Sequence, residues 1–144
     1  MVQTMKRYAI RGAALVLALA AAACGNLSKV DAQGQSASLV WPDPKDATVL
    51  TMPGGTYPDP RQLAMVQAGM TKDQLHHLLG RPHFLEGFAW VREWDYLFHL
   101  KTASGEQACQ YKVLFDRDMT ARSFHWRSPA CATLVQAGAD KQGS

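Results

Sequence analysis

The chain has 144 residues, with fifteen Lys and Arg against twelve Asp and Glu, a formal charge of +3. Lys6, Arg7 and Arg11 lie in the first 23 residues, where no acid occurs, so twelve bases face twelve acids from Cys24 onward. A neutral body gives no support for the basic stripe that nucleic-acid binding requires, and the length allows one domain with short appendages rather than a multidomain enzyme.

Residues 13–23 form an unbroken apolar run that follows the three bases and ends in Ala21-Ala22-Ala23 before Cys24. The run is far shorter than the roughly 20 residues needed to cross a bilayer. Charged start, short apolar centre and small residues at a cut site predict an export signal over residues 1–23. A plain secretory signal cut after Ala23, or a buried Ala-rich helix, are the other readings. Cysteine after small residues resembles the lipobox of bacterial lipoproteins, although Ala21 stands where leucine is usual. That resemblance implies acylation of Cys24. Gly25, in place of an aspartate that favours inner-membrane retention, implies an outer-membrane address with the protein on the periplasmic side.

Asn26 to Ser38 is polar and small with no apolar period, so residues 24–38 are expected to be a flexible tether. Leu39 to Pro60 holds five of the seven prolines, which predicts an extended arm over residues 39–58. Trp41 and Tyr57 are candidates to pin it on the domain. The domain itself is expected over residues 59–131. Asp59, Pro60 and Gln62 sit at N-cap, N1 and N3 of a first helix, with Leu63 and Val66 on its inner face and Gly69 as its stop. Thr71 and Gln74 form a capping box, Met70 and Leu75 a hydrophobic staple, and Leu75, Leu78 and Leu79 an apolar stripe closed by Gly80 before Arg81-Pro82.

Strand periodicity follows. From Phe88 to Leu100 the even positions are mainly aromatic, whereas Glu93, Asp95 and His99 hold odd positions and are expected to face solvent. Cys109, Tyr111, Val113 and Phe115 share one face of a second strand, with Gln110 and Lys112 opposite. Phe124 and Trp126 mark a third, and residues 132–144 read as a weakly patterned tail. The expected fold is α+β, two short helices packed on a three-stranded antiparallel sheet in the order α-α-β-β-β.

With Cys24 assigned to lipid, Cys109 and Cys131 form a candidate disulfide in an oxidising compartment. Two free buried thiols are the alternative. His76 and His77 are adjacent on a helix, pointing about 100° apart, and do not chelate as an i,i+4 pair would. No metal-ligand spacing, nucleophile elbow or phosphate loop occurs, so no catalytic residue, metal or cofactor is assigned. Glu93 and Asp95 share a strand face as paired carboxylates, with ordinary exposed side chains as the simpler account. The turn bearing Arg81, His83, Phe84 and Glu86 is a candidate interface, with burial of Phe84 against the helices as the structural alternative.

The run Ala68-Gly69-Met70-Thr71-Lys72-Asp73-Gln74-Leu75, then Leu78-Leu79-Gly80-Arg81-Pro82, followed by Glu93-Trp94-Asp95-Tyr96 and Phe115-Asp116, resembles the BamE family, also called SmpA/OmlA. The resemblance covers about Pro58 to Arg127. It implies a non-enzymatic outer-membrane lipoprotein, an accessory to β-barrel insertion, with BamD and BamA-like proteins as partners beside the lipid held by Cys24. Similar folds act as β-lactamase inhibitors, so a periplasmic inhibitor or ligand-binding module using the open sheet face is the alternative. The cysteine pair and the proline-rich arm are not part of the matched motif.

Overall fold

The computed structural model describes residues 28–47, 54–84 and 91–142. Expectations for residues 1–27, Glu86 and Phe88 to Trp90 lie outside these residues. The described elements run α1 (Pro60–Ala64), α2 (Lys72–Leu79), β1 (Glu93–Thr102), β2 (Gly105–Phe115), β3 (Ala121–Trp126) and α3 (Pro129–Gln142). The sheet is antiparallel throughout, in the order β1-β2-β3. It is an α+β fold.

Local chemistry explains the helix starts. Asp59 caps α1 by accepting from the Arg61 N–H, and Pro60 needs no donor at the first turn. At α2 both arms of the capping box are made: Thr71 Oγ1 accepts from Gln74 N at 3.2 Å, and Gln74 Oε1 accepts from Thr71 N at 2.9 Å. Gly80 ends α2 at φ +75°, a conformation that costs a side-chain-bearing residue more.

The stop of α1 differs from expectation. The helix ends at Ala64, not at Gly69, because the following chain pairs with β3 instead. Gly69 N–H donates to Ala121 O, and Ala121 N–H donates back to Met70 O. Two sheet-like bonds replace helix continuation.

One sheet face carries the core. Tyr96, Phe98, Tyr111, Val113 and Phe115 are buried there with Leu63, Leu75 and Leu79 of the helices, while Trp94, Leu78, Phe124 and Trp126 pack at its margin. Each large side chain removed from water contributes about 1.5–3 kcal/mol, so this layer is the main source of cohesion. The residues expected to trail as a tail form α3 instead. Its Cys131 and Val135 are buried in the same cluster, and it packs on α1 and β1. Its weak amphipathic pattern gave no helix signal because only two or three positions need to be apolar.

The opposite face overturns a second expectation. Glu93 and Asp95 are each only 2% exposed, Lys112 is fully buried, and Gln110 and Leu114 are buried as well. Residues 28–42 lie across them. The expected free tether is therefore docked from Ser28 onward, and the sheet is covered on both sides. Leu97, on the same face, is buried in a small cluster with Ala47 and Phe84.

Candidate functional site

Two regions concentrate polar chemistry. The first is the cluster under the strap formed by residues 28–42. Lys112 Nζ lies 2.7 Å from Asp95 Oδ2 and also bonds Glu93 Oε1. Strand register makes this possible: Asp95 stands directly opposite Lys112 in the β1–β2 ladder, and Glu93 opposite Leu114, two residues along on the same face. Glu93 is further held by the strap, taking hydrogen bonds from Ser28 N at 2.8 Å and Ser28 Oγ at 3.0 Å. The Trp41 ring lies over Lys112, 5.1 Å from Nζ to centroid. His125, opposite Lys112 on β3, is pushed below the usual imidazole range by burial and by that ammonium. A buried cation between two carboxylates is tolerable only because each is hydrogen-bonded. With the strap over it, the cluster joins segments and offers no approach to a substrate.

The second region is a groove of about 640 Å³ near the β1–β2 hairpin, walled by Tyr57, Pro60, Arg61, His99, Lys101 and Leu134. Tyr57 donates to Glu106 Oε1 at 3.2 Å, an arrangement that raises its hydroxyl pKa. His99 Nε2 lies 2.6 Å from Gly54 O, and Arg61 pairs with Asp59 at 3.0 Å. These groups satisfy one another around the rim and do not converge on a point. Among the described residues, no group of three His, Cys, Asp or Glu is arranged to hold a metal, and no helix is long and apolar enough to cross a membrane.

The sequence-derived interface is redistributed by the fold. Arg81 is exposed, but His83 and Phe84 are 2% and 5% exposed and cannot serve as a contact surface. His83 N–H donates to Asp95 O, and its Nδ1 accepts from Leu97 N at 2.9 Å, so the turn is stitched to the outer edge of β1. Burial lowers the His83 pKa to about 4. Phe84 fills the hollow beside Leu97 and Ala47. A Pro-x-Phe segment beside an edge strand was the available sign of inward packing. Glu86 and Cys24 lie outside the described residues.

Cys109 and Cys131 are joined in the structure, with Cα atoms 5.9 Å apart and a separation of 22 residues. The bridge links the centre of β2 to the first turn of α3. Trp41 and Tyr57 both contact the body of the domain, Trp41 through Lys112 and Tyr57 through Glu106 and the His99 ring at 5.2 Å.

The architecture is a capped helix pair on an aromatic antiparallel meander, whose opposite face holds the Glu93, Asp95 and Lys112 cluster in internal hydrogen bonds. Residues 55–125, just under half of the chain, match the family of the outer membrane protein assembly factor BamE domain; this segment is a BamE-family domain. Over 51 residues the chain is 37% identical to the outer membrane protein assembly factor BamE of Shewanella oneidensis, a match that takes in 35% of this chain and 31% of that protein. The comparison thus spans about a third of the relative's length. The strap before Thr56 and the helix α3 fall outside the matched segment.

Proposed function

We propose that the protein is a non-enzymatic accessory lipoprotein of the outer membrane, anchored through Cys24 on the periplasmic side, that supports assembly and insertion of β-barrel proteins. The observation that carries this reading is the coincidence of the BamE-family segment, residues 55–125, with the folded α-α-β-β-β unit. The export signal over residues 1–23 supports the address. The partners would be subunits of the assembly complex, BamD and BamA-like proteins. Tyr57 and Met65, 63% and 60% exposed, are large side chains left outside for protein contacts. The alternative of a ligand-binding module on an open sheet face loses its support, since the strap covers that face.

Affinity purification of the tagged chain from detergent-solubilised outer membranes tests the reading. Recovery of assembly-complex subunits is expected, and their complete absence would count against it. Cys24→Ala is expected to leave the protein unacylated and released from the membrane fraction, measured by mass spectrometry of the mature N-terminus.

A further inference from the structure

The strap was expected to be slack and is not. Ser28 reaches buried Glu93 through both its backbone N–H and its hydroxyl, and the same hydroxyl takes a hydrogen bond from Val40 N at 2.8 Å. Arg92 donates to the carbonyls of Val30 and Asp31, Arg117 N–H to Ala32 O, and Ser123 Oγ to Gly34 O at 2.7 Å. Gly34 is seated so closely that a Cβ there would lie 2.7 Å from Arg122 Cβ. Gln110 then holds Pro42 O at 2.7 Å. Pinning is thus distributed along the strap, and it begins at Ser28, only four residues after Cys24.

We propose that this strap is a pinned anchor arm, which holds the domain against the lipid surface with the Ser28 end of the sheet facing the bilayer. The proposal rests on acylation of Cys24. Four residues reach at most about 14 Å even when fully extended, whereas a tether free to Trp41 would reach about 60 Å. The surface nearest Ser28 is the start of β1 and the β2–β3 turn, because Arg92 and Arg117 both bond the strap there. The β1–β2 hairpin lies at the other end of the ten-residue strand β1, roughly 30 Å away. Lys29, Arg92 and Arg117 lie near the pin against Asp31 and Asp118, an excess of a single positive charge. What brings this surface to the lipid is therefore chiefly the short covalent reach and not the net charge.

Energy transfer on vesicles of phosphatidylethanolamine and phosphatidylglycerol with a headgroup acceptor tests this, using the full acylated protein. A fluorescent non-canonical residue replaces Asp118 in the β2–β3 turn or Ala103 in the β1–β2 turn, which spares the cysteines. Transfer from position 118 is expected to exceed that from position 103 by at least about twofold in the native chain. Ser28→Pro combined with Arg92→Ala and Ser123→Ala, which removes the Ser28 donors to Glu93 and the side-chain donors to residues 30–34 while leaving the charged cluster in place, is expected to abolish most of the difference. A folded-state control by circular dichroism accompanies it, and Gly34→Leu, whose Cβ would lie 2.7 Å from Arg122 Cβ, provides a second release of the strap that leaves the charged cluster intact. Equal transfer from the two positions in the native chain, or a difference unchanged in both variants, overturns the pin. Vesicle flotation of the native protein separates the two ideas: failure to float sinks the anchor and the bilayer contact with it, and floating without the difference sinks the pin alone.

Discussion

Leu97 donates its backbone N–H to Nδ1 of His83, which requires a neutral ring with its proton on Nε2. The edges of Tyr96 and Phe98 meet the same ring at 5.6 and 5.8 Å between centroids, so no water shell is available to a charged imidazole. Unfolded histidine titrates near pH 6.5, and His83 in the fold near 4. Above pH 6.5 both states are neutral and this contribution is complete. As pH falls from 6.5 toward 4 only the unfolded chain takes up the proton, and stability is lost, on the order of 3 kcal/mol across the window. Below 4 the loss levels off. His83→Asn, which keeps an acceptor near Nδ1, is expected to flatten this limb in urea melts taken between pH 7 and 4. Lys112 gives the converse experiment. Lys112→Ala leaves Glu93 and Asp95 buried without their cation, an expected cost of about 3–5 kcal/mol in the urea-derived stability. The triple change Glu93→Gln, Asp95→Asn, Lys112→Met removes all three charges together and is expected to cost less than the single one. These residues also mark where periodicity misled. Alternation correctly separated the two faces of β1 and β2, but a polar residue on the second face reads the same whether water or another segment covers it.

At the scale of elements, α2 was legible because its signals act within a few residues. Capping box, leucine stripe and terminal Gly80 all report on one turn and its neighbours. The end of α1 and the whole of α3 were not, since both depend on partners distant in sequence: Ala121 for the one, the Cys109 bridge and the α1 surface for the other. Closing a loop of 22 residues with a disulfide contributes about 3 kcal/mol in the chain-entropy model. The double variant Cys109→Ser/Cys131→Ser is expected to lose about that much. Because α3 buries only Cys131 and Val135 fully, hydrogen exchange across residues 129–142 should accelerate before that of the sheet. Equal acceleration everywhere would mean that α3 and the sheet open as one unit. Non-reducing peptide mapping of the protein isolated from cells checks that the bridge forms.

Taken whole, the molecule is a sheet enclosed on both faces, by helices on the aromatic side and by the strap on the charged side. Removing the strap would expose Glu93, Asp95, Lys112 and Leu114 together. A chain beginning at Asp43 is accordingly expected to melt at a lower temperature than the mature chain while keeping its sheet signal in far-ultraviolet circular dichroism. An unchanged midpoint would show that the strap adds nothing to the fold. The BamE-family segment supplies the meander and its helix pair. The strap and α3 lie outside that segment and add the cover over its charged face and the disulfide-linked helix.

The sequence by itself determined the order of the first five elements, the capped starts of α1 and α2, the aromatic face of the sheet, the neutral body and the family resemblance. Each of these is written in neighbouring residues, where spacing and capping chemistry operate at short range. Only the tertiary structure decided that Glu93, Asp95 and Lys112 are interior, that His83 and Phe84 turn inward, that α3 is a helix and that the chain from Ser28 is docked. The reason is physical: burial and charge pairing depend on which distant segment covers a residue, and a local pattern records that a side chain is polar without recording what will lie over it.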